Sequence, residues 1–349
     1  MAKVSMREVA ERAGVSVGTV SHVVNGSSKV AEATAQKVNE AIDELGFVRN
    51  AAARQLRSGH SSSLGLVVLD SANPFFASVA HGAGHACDEA GLSLLIGDSG
   101  TDEKRESKYL ELFAEHRVNG LLVTPTGADL SELESIAARG TPVMLVDRAS
   151  TGYALSSVTV DNVAGGRMAL DHIIAGGCAS PVFIGGPRSL PQVADRLAGA
   201  RERAEASGLT LPVYETEQLT ILAGRDVGRT IVGLPEDQRP DAVFCANDLL
   251  AVGFMQAVLM FSDLRVPADI AIVGYDDIDY AFSTIVPLTS VRQPAELLGR
   301  TAVETLLQEN ASTSDVHHDR EFTPELVVRE SIRPVRTDPA NGSAPPVDE

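Results

Sequence analysis

The segment SMREVAERAGVSVGTVSHVVNG, residues 5–26, opens the chain with two short helical patterns separated by a turn. Ser5 and Glu8 have the spacing of a capping box, in which each side chain accepts a hydrogen bond from the other residue's backbone, and this predicts a helix over 5–13. Gly14 is expected to end that helix, because glycine adopts the left-handed conformation of a helix C-terminus without a steric penalty.

A second and a third helix are predicted beyond this turn. Ser16 caps the second helix, which runs to about Val24. Apolar residues at helical spacing continue from Ala35 to Leu45 and predict a third helix that ends at Gly46. Two short helices joined around a glycine and followed by a packing helix are typical of a helix-turn-helix domain. A small helical cap on a larger domain has the same spacing, so both interpretations stay open at this point.

The stretch after the third helix predicts a short helix and a linker. Residues 50–58 begin with Asn50 as a cap and have only Leu56 and alanines to bury. So short a helix with so little apolar surface is marginal in isolation. Residues 59–63 are then expected to form the linker.

From Leu64 onward, short apolar strands alternate with helices. The predicted strands are 64–69, 92–96, 120–123, 142–146, 157–160, 182–184, 241–245 and 269–273, and the predicted helices include 76–90, 104–116, 163–175, 192–206 and 248–260. This alternation is typical of doubly wound parallel sheets, and the number of strands fits two sheets better than one. The fold class is therefore α/β, and the tail from about Thr337 is expected to be disordered.

Composition and charge separate the N-terminal part from the rest. The chain has 349 residues, which predicts two or three domains, and its 44% hydrophobic and 22% charged residues are those of a globular protein. Residues 1–60 contain eight Lys/Arg and six Asp/Glu and thus carry a charge of +2. Because the whole chain has a net charge of −18, the remaining residues carry −20. This asymmetry favours a small anion-tolerant module on a large acidic body.

Nothing in the sequence indicates a membrane span, a metal centre or an enzyme. No apolar run has the length of a span, and the N-terminus has no signal-peptide core. Cys87, Cys178 and Cys245 have neither zinc nor disulfide spacing, which favours a reducing cytoplasm. His81 and His85 are one helical turn apart, but no third ligand is well placed, so surface histidines are the preferred interpretation. The common nucleotide-binding and hydrolase motifs are absent, and no cofactor is expected.

Polar and aromatic side chains follow the predicted strands, where open parallel sheets bind ligands. They come from both halves of the chain: Asn73-Pro74-Phe75-Phe76, Asp147-Arg148, Gly185-Gly186-Pro187, Asn247-Asp248 and Tyr275-Asp276. Carboxylates and a guanidinium bind hydroxyl groups through charge-assisted hydrogen bonds, and flat rings cover the apolar faces of sugars. An Asn or Asp at one strand end is explained more simply as a helix cap. Five such strand ends together favour a sugar site.

An ordered set of motifs extends over residues 4–333. It begins with Val9-Ala10-x-x-Ala13-Gly14-Val15-Ser16-x-x-Thr19-Val20-Ser21-x-Val23-Val24-Asn25 and continues through Leu45-Gly46-Phe47, Asn119-Gly120-Leu121-Leu122, Val160-Asp161-Asn162, Phe183-Ile184-Gly185-Gly186, Ala246-Asn247-Asp248 and Val273-Gly274-Tyr275-Asp276-Asp277. This set resembles the lactose-repressor (LacI/GalR) family of transcriptional regulators. A resemblance so long and ordered is far more specific than any single loop motif.

The resemblance implies a sequence-specific DNA-binding regulator, in the role of a repressor, that acts as a homodimer on a palindromic operator in double-stranded DNA. A small-molecule effector would control its operator affinity. The implied domains are a helix-turn-helix domain at 1–49, a hinge helix and linker at 50–63, and an effector-binding and dimerisation domain at 64–336, followed by a tail at 337–349. The effector domain would resemble periplasmic sugar-binding proteins, with one lobe at 64–161 and 292–321, the other at 162–291 and 322–336, and crossings near Asp161, Val291 and Phe322.

By the same resemblance, twelve residues are expected to contact the operator: Ser5, Met6, Ser16, Val17, Gly18, Thr19, Ser21, His22, Asn25, Lys29, Ala53 and Leu56. Hydroxyl and amide groups suit phosphates, and His22 reaches base edges. Leu56 matches the family's minor-groove wedge, an apolar side chain that bends DNA by entering a base step. Familiar members carry larger groups than Val17 and Gly18, so the half-site sequence does not follow from the resemblance.

The resemblance to ribose-type binding proteins assigns nine residues to the effector site: Asn73, Phe75, Phe76, Asp147, Arg148, Arg196, Asn247, Asp276 and Gln293. It implies a pentose or a similar sugar as effector. Arg148 differs from the aromatic residue of purine-responsive members, and Leu219 departs from the aromatic residue that often closes the pocket. A sugar- or purine-binding module without a DNA role is the alternative, and an α/β enzyme that acts on a sugar is the third hypothesis. No C-terminal heptad zipper appears, so a dimer is expected rather than a tetramer.

Overall fold

The computed structural model describes residues 4–24, 30–47, 61–312 and 316–334. The chain divides into two units, Met1–Ser61 and Ser62–Glu349. The predicted helix over 50–58 and the predicted tail lie outside the described residues.

The first unit is a helix-turn-helix followed by a packing helix, as predicted. Its helices are α1 (Met6–Ala13), α2 (Val17–Val24) and α3 (Glu32–Leu45). The capping box at the start of α1 is present, since Ser5 N donates to Glu8 Oε2 at 2.7 Å and Glu8 N donates to Ser5 Oγ at 3.3 Å. Gly14 has φ +66° and ends α1. One apolar cluster holds the three helices together: Val9, Ala10, Val20, Val24, Val38, Ala41 and Phe47.

The second unit alternates strands and helices. Its strands are β1 (Ser63–Val68), β2 (Ser93–Asp98), β3 (Leu121–Val123), β4 (Val143–Val146), β5 (Ser156–Val160), β6 (Pro181–Ile184), β7 (Val213–Tyr214), β8 (Ala242–Cys245), β9 (Ala271–Asp276), β10 (Thr289–Arg292), β11 (Asp319–Phe322) and β12 (Glu325–Val327). Its helices are α4 (Pro74–Glu89), α5 (Glu103–Glu115), α6 (Ser131–Ala138), α7 (Asn162–Ala175), α8 (Pro191–Ala206), α9 (Ile221–Val232), α10 (Asp248–Phe261), α11 (Asp279–Ser283) and α12 (Ala295–Ala311). A 3₁₀ turn covers Glu236–Gln238.

Two six-stranded sheets form the cores of two lobes. Lobe 1 is built on the sheet with the order β11-β5-β4-β3-β1-β2, and lobe 2 on the sheet with the order β12-β10-β9-β8-β6-β7. All pairings are parallel except that of β10 with β12. The chain passes between the lobes three times, at Asp161, between β10 and α12, and between β11 and β12.

Helices pack in pairs on the sheets, and glycine lets two backbones touch where a functional residue has to be held. A Cβ at Gly166 of α7 would meet the carbonyl oxygen of Arg196 at 1.9 Å. Only glycine therefore allows α7 and α8 to approach this closely. Within the described residues, none of the helices is both long and apolar enough to cross a membrane.

The sequence patterns miss some elements and displace others. The strands β7, β10, β11 and β12 were not expected, because they are short or, as in β11, mostly charged. Ser63 belongs to β1 and not to the linker. Tyr275 does not follow a strand as expected, because β9 continues to Asp276 and Tyr275 is fully buried within it.

Candidate functional site

Side chains of both lobes meet around one cavity at the carboxyl ends of the central strands. The cavity is small, with a volume of about 30 Å³, and its lining is Leu69, Asn73, Phe75, Phe76, Asp147, Leu190, Gln192, Val193, Arg196, Leu219, Asn247 and Asp276. Seven of the nine residues expected at the effector site thus line it. Arg148 and Gln293 do not.

The lobe 1 side of the cavity begins at the N-terminus of α4. Asn73 caps this helix, since its Oδ1 accepts a hydrogen bond from Phe75 N at 3.0 Å. The rings of Phe75 and Phe76 meet edge to face with their centroids 5.0 Å apart, and both are buried. Asn73 is therefore both a helix cap and a lining residue, so the two interpretations of strand-end polar residues are compatible.

Asp147 follows β4, and its side chain is a buried carboxylate with one oxygen that has no hydrogen-bond partner among the described residues. Its backbone has φ +56°, which is a rare conformation for a residue other than glycine and is concentrated at functional sites. Gln192 Nε2 of lobe 2 donates to the Asp147 carbonyl oxygen at 2.7 Å, while Asp147 Oδ1 has no hydrogen-bond partner among the described residues. Burial raises the pKa of Asp147 to about 7, although the positive charge of Arg196 opposes this rise.

Arg196 of α8 is the buried cation of lobe 2, and its partners hold it on several sides. Its Nε donates to Asn162 Oδ1 at 2.8 Å, and its Nη1 donates to the Ala246 carbonyl oxygen at 2.7 Å. The same Nη1 lies 3.5 Å from Asp276 Oδ1. The guanidinium carbon lies 3.7 Å from the centre of the Tyr275 ring. A buried charge with this many partners is fixed in position before any ligand arrives.

Asp276 ends β9 beside this arginine. Its backbone has φ +100°, and its Oδ1 accepts a hydrogen bond from Gln293 Nε2 at 2.8 Å. Burial raises the pKa of Asp276 to about 6, while the positive charge of Arg196 lowers it. Gln293 thus acts on the site through Asp276 and does not line the cavity.

Asn247 completes the lobe 2 side. It caps α10 through the hydrogen bond that Leu250 N donates to its Oδ1 at 3.0 Å. Its Nδ2 donates to the Leu219 carbonyl oxygen at 3.2 Å, which ties the lining residue Leu219 to the cap.

Arg148 lies in an adjoining pocket at the side where the chain crosses at Asp161. This pocket shares Asp147 and Gln192 with the cavity and also includes Asp195. Arg148 Nη2 donates to the Ala128 carbonyl oxygen at 3.3 Å, and Arg148 Nε has no hydrogen-bond partner among the described residues.

Gln192 is a lining residue that sequence reasoning missed. It lies in the first turn of α8, far in sequence from Asp147 and away from any strand end, so no local signal marks it.

The N-terminus and exposed face of α2 carry most of the described residues expected to contact DNA, while Ser5 and Met6 lie at the start of α1. Ser16 caps this helix by accepting a hydrogen bond from Thr19 N at 3.1 Å. Val20 is buried on the opposite face, whereas Val17, Gly18 and His22 are exposed. Four of the expected contacts lie outside the described residues: Asn25, Lys29, Ala53 and Leu56.

The histidine pair on α4 has no further metal ligand among the described residues. His81 Nε2 and His85 Nε2 are 3.1 Å apart and both side chains are exposed. The described ranges contain no group of three or more His, Cys, Asp or Glu residues that is arranged to hold a metal ion. The pair is therefore explained by a hydrogen bond between the two rings.

Comparisons with known proteins match both units. The family described as bacterial regulatory proteins, lacI family, matches residues 5–50, and the periplasmic binding protein-like domain matches residues 170–332. The transcriptional repressor PurR of Photobacterium profundum is 33% identical over 94% of this chain and 98% of its own length. The ribose operon repressor of Escherichia coli (strain K12) is 34% identical over 94% of this chain and 99% of its own length.

A solved structure agrees with these relatives. The lac repressor dimer bound to operator and the anti-inducer ONPF is similar with a TM-score of 0.82 at 28% identity, over 95% of this chain and 99% of that chain. These relatives are repressors that share both units with this chain over nearly their whole length. The chain therefore belongs to the lacI family of bacterial regulatory proteins, and it is a transcriptional repressor and not an enzyme.

Proposed function

We propose that a pentose or a similar free sugar binds in the cavity between the lobes and changes the affinity of this repressor for its operator. One observation carries the proposal. Two buried carboxylates, Asp147 of lobe 1 and Asp276 of lobe 2, line a single small cavity together with the cation of Arg196. Such a set matches the alternating hydroxyl groups of a sugar.

The free hydrogen-bonding atoms of the cavity favour a ligand rich in donors. Asp147 Oδ1 and Gln192 Oε1 are buried acceptors without a partner in the described part of the chain. Leaving such atoms unpaired is unfavourable, and hydroxyl groups that donate to them remove this penalty. Phe75 and Phe76 add apolar surface of the kind that covers a sugar ring face.

Arg148 is assigned to the same function, as the side chain that completes the site when the lobes close on a ligand. Its hydrogen bond to Ala128 is long, at 3.3 Å, and its Nε is unpaired among the described residues. A side chain held so weakly rearranges at little cost, and a sugar hydroxyl is a better partner for it.

The DNA-binding role rests on the first unit. The exposed residues Val17, Gly18 and His22 of α2 are assigned to the major groove, with Ser16 and Thr19 at phosphates near the helix N-terminus. Leu56 keeps its expected role as the wedge in the minor groove. We place the action of this DNA-binding repressor in the cytoplasm. The residues that keep their expected role as further operator contacts are Ser5, Met6, Ser21, Asn25, Lys29 and Ala53.

Coupling between the two sites follows from a ligand that bridges the lobes. Such a ligand favours one relative orientation of lobe 1 and lobe 2, and only this difference in affinity shifts a two-state equilibrium. Residues 50–61 connect the first unit to β1 of lobe 1. In a dimer, closure of the lobes would therefore change how the paired hinge segments fit the minor groove.

The homodimer has a suitable surface on lobe 2. Apolar side chains of α10 and α11 and the loop after them are exposed there, with Phe282 73%, Ile285 86% and Met260 66% accessible. Met260 and Ile285 line a groove between α9, α10 and α11. An apolar patch of this kind marks an interface, and a second copy of the chain on a two-fold axis covers it with the same residues.

A gel-shift assay on a palindromic operator, with and without pentoses, tests the whole proposal. We expect specific binding that changes on addition of a pentose, and calorimetry with D-ribose, related pentoses, hexoses and purine bases then ranks the effectors. Tight binding of a purine base without any response to sugars would show that the effector is a purine and not a sugar. A sugar response without operator binding would instead favour a binding module without a DNA role.

His22→Ala tests the assignment of α2. We expect operator affinity to fall by roughly 1–3 kcal/mol, the usual contribution of a good base contact. Binding to random DNA should hardly change, because phosphate contacts supply it. Gel shifts on both DNAs measure the two affinities, and equal losses on operator and random DNA would remove the base-reading role.

Leu56→Ala tests the minor-groove wedge. We expect it to reduce operator bending, because an apolar side chain inserted between base pairs is what opens the step. Sugar binding should stay unchanged, which serves as the control for an intact effector domain. A permutation assay measures the bend, and an unchanged bend angle would take this role away from Leu56.

A further inference from the structure

Asp248 is a buried carboxyl next to the effector site that none of the roles above uses. It is fully buried and does not line the cavity. It lies in the first turn of α10, directly after the cap residue Asn247. A carboxyl group is rarely buried unless its oxygens are paired, so its partners indicate what it does.

Those partners hold the turn at the end of β9, which consists of Asp276, Asp277 and Ile278. The N–H of Ile278 donates to Asp248 Oδ2 at 2.9 Å. The N–H of Asp277 donates to Ser290 Oγ at 3.1 Å, and the Ser290 hydroxyl donates to Asp248 Oδ1 at 2.6 Å. Both oxygens of Asp248 therefore hold successive backbone N–H groups of this turn, one directly and one through Ser290.

The turn needs such support. Asp276 has φ +100° and Asp277 has φ +53°, so two successive residues other than glycine have positive φ. Conformations of this kind persist only where the surroundings hold them in place. The Asp277 carboxylate is held in addition by Arg292 and Arg329, whose nitrogens lie at 2.7 and 2.6 Å.

The neighbouring strand leaves room for this carboxyl. A Cβ at Gly274 of β9 would come within 2.0 Å of Asp248 Oδ1. Any larger residue at this position would therefore displace Asp248 from the turn. Burial and the nearby charge of Asp276 also raise the pKa of Asp248 well above its usual range, which favours an uncharged carboxyl beside the effector site.

We propose that Asp248 is a positioning residue for effector recognition: together with Ser290 it fixes the turn that presents Asp276 to the ligand. Since Asp248 follows Asn247 in the chain, it also connects this turn to Asn247, another lobe 2 residue that lines the cavity. The inference rests on the proposed function, in which Asp276 binds the sugar.

Three variants and one matched control test the proposal in the full-length protein. Asp248→Ala removes both hydrogen bonds, and Ser290→Ala removes only the link to Asp277. Asp248→Asn keeps an uncharged side chain of the same shape, whose Oδ1 can still accept from Ile278 N and whose Nδ2 can donate to Ser290 Oγ. The control is Ser331→Ala, because the Ser331 hydroxyl is equally buried in lobe 2 but donates to the Ile272 carbonyl oxygen at 2.6 Å and accepts from Thr289 N at 2.8 Å. This variant disturbs the same two strands, β9 and β10, without removing a hydrogen bond to the turn.

Calorimetry with D-ribose gives the first readout. We expect Asp248→Ala to bind at least tenfold more weakly, Ser290→Ala to lose roughly threefold to tenfold, and Asp248→Asn to stay within about threefold of the wild type. Ser331→Ala should lower the melting temperature without changing the affinity for D-ribose. Operator binding without sugar should be unchanged in all four variants. A loss of D-ribose affinity in Ser331→Ala that equals the loss in Asp248→Ala would overturn the proposal.

Hydrogen exchange of the Asp277 and Ile278 amides, measured without any ligand, gives the second readout. We expect exchange to accelerate at both amides in Asp248→Ala and at Asp277 in Ser290→Ala, with no change in Ser331→Ala. Unchanged exchange in Asp248→Ala would overturn the positioning role. If the wild type binds no D-ribose, the pentose proposal fails, but the exchange data still decide the role of Asp248. If Asp248→Ala does not fold, Ser290→Ala decides it by the same two readouts.

Discussion

The two lobes contribute charged side chains to the same cavity, but they hold them differently. In lobe 2, Arg196 has hydrogen bonds to Asn162 and Ala246 and lies beside Asp276. In lobe 1, Asp147 and Arg148 each have a side-chain atom without a hydrogen-bond partner among the described residues. The charged side chains of lobe 2 are therefore preorganised, while those of lobe 1, together with Gln192 Oε1 of lobe 2, keep hydrogen-bonding capacity that a ligand can use.

This difference suggests how binding leads to a change of shape. When a sugar binds to the lobe 2 side, little free energy is needed to order these side chains, because they are already held in place. The unpaired groups of lobe 1 gain hydrogen-bond partners only when the lobes approach each other. If the proposed function holds, the free energy for closure comes from Asp147 and Arg148, and the initial affinity from Asp276 and Arg196. Variants on the two sides should consequently differ in both the size and the kind of their effects.

The largest effect is expected on the preorganised side. Asp276→Ala should weaken sugar binding at least tenfold, since each charge-assisted hydrogen bond contributes on the order of 1.5–3 kcal/mol. Operator binding without sugar should be spared, because Asp276 is not among the residues assigned to DNA. Calorimetry with D-ribose and a gel shift measure the two quantities. A loss of less than about threefold would break the comparison, because lobe 2 would then not supply the initial affinity.

The strand ends of both lobes are the part of the site that the sequence predicted best. Asp147, Asn247 and Asp276 were expected because they follow apolar strands, and β4, β8 and β9 end at these residues or one or two residues before them. Gly14 ends α1 as expected, because its left-handed conformation is a local property of the chain. Local rules of this kind hold wherever the neighbouring residues determine the conformation.

Other features of the site could not be predicted, because they depend on contacts distant in sequence. Gln192 reaches Asp147 only through the packing of the two lobes, so no local pattern marks it. Arg148 follows a strand as expected, yet its side chain lines the adjoining pocket beside Asp195. The strand β11 is mostly charged and forms only because it pairs with β5. Positions set by tertiary contacts are outside the reach of periodicity.

The affinity for sugar should depend on pH through the carboxyl group of Asp147 in lobe 1. The pKa of Asp147 is raised to about 7, so this carboxyl is ionised at pH 8 and mostly protonated at pH 6. Because the ionised form is the better acceptor of sugar hydroxyls, we expect roughly a tenfold loss of D-ribose affinity between these pH values. Calorimetry across this range measures it, and Asp147→Asn should leave only the smaller change near pH 6 that comes from Asp276, whose pKa is raised to about 6. A wild-type affinity independent of pH would mean that Asp147 does not bind the sugar as an anion.

The stability of the sugar-free protein should change with pH in the opposite sense to an ordinary salt-bridged carboxylate. The raised pKa values of Asp147 and Asp276 mean that the folded state binds more protons than the unfolded state between about pH 4 and 7. Stability should therefore decrease as the pH rises, by on the order of 1 kcal/mol per pH unit for each such group, up to about pH 6 for Asp276 and about pH 7 for Asp147. Urea unfolding at several pH values measures this slope, which Asp147→Asn should reduce. An equal slope in the wild type and in Asp147→Asn would contradict the raised pKa of Asp147.

The smallest effect is expected for Arg148, and it is the sharpest test of how the two sides differ. Arg148 donates one long hydrogen bond to Ala128, at 3.3 Å, so its removal should change the stability of the free protein little. In the closed complex it should add one charge-assisted hydrogen bond, part of which is lost again in ordering a long side chain, so Arg148→Gln should weaken D-ribose binding by roughly twofold to fivefold. The more telling quantity is the response of operator binding, because closure should now be less complete at saturating sugar.

Arg139→Gln is the matched control for this variant, since Arg139 lies at the end of α6 and donates to Ser135 in the preceding turn, away from the cavity. It removes the same charge from lobe 1, so any effect of net charge on operator binding appears in both variants. We expect only Arg148→Gln to reduce the response of operator binding to D-ribose. If Arg148→Gln matches the control in both calorimetry and gel shift, Arg148 has no part in closure and the contribution of lobe 1 reduces to Asp147.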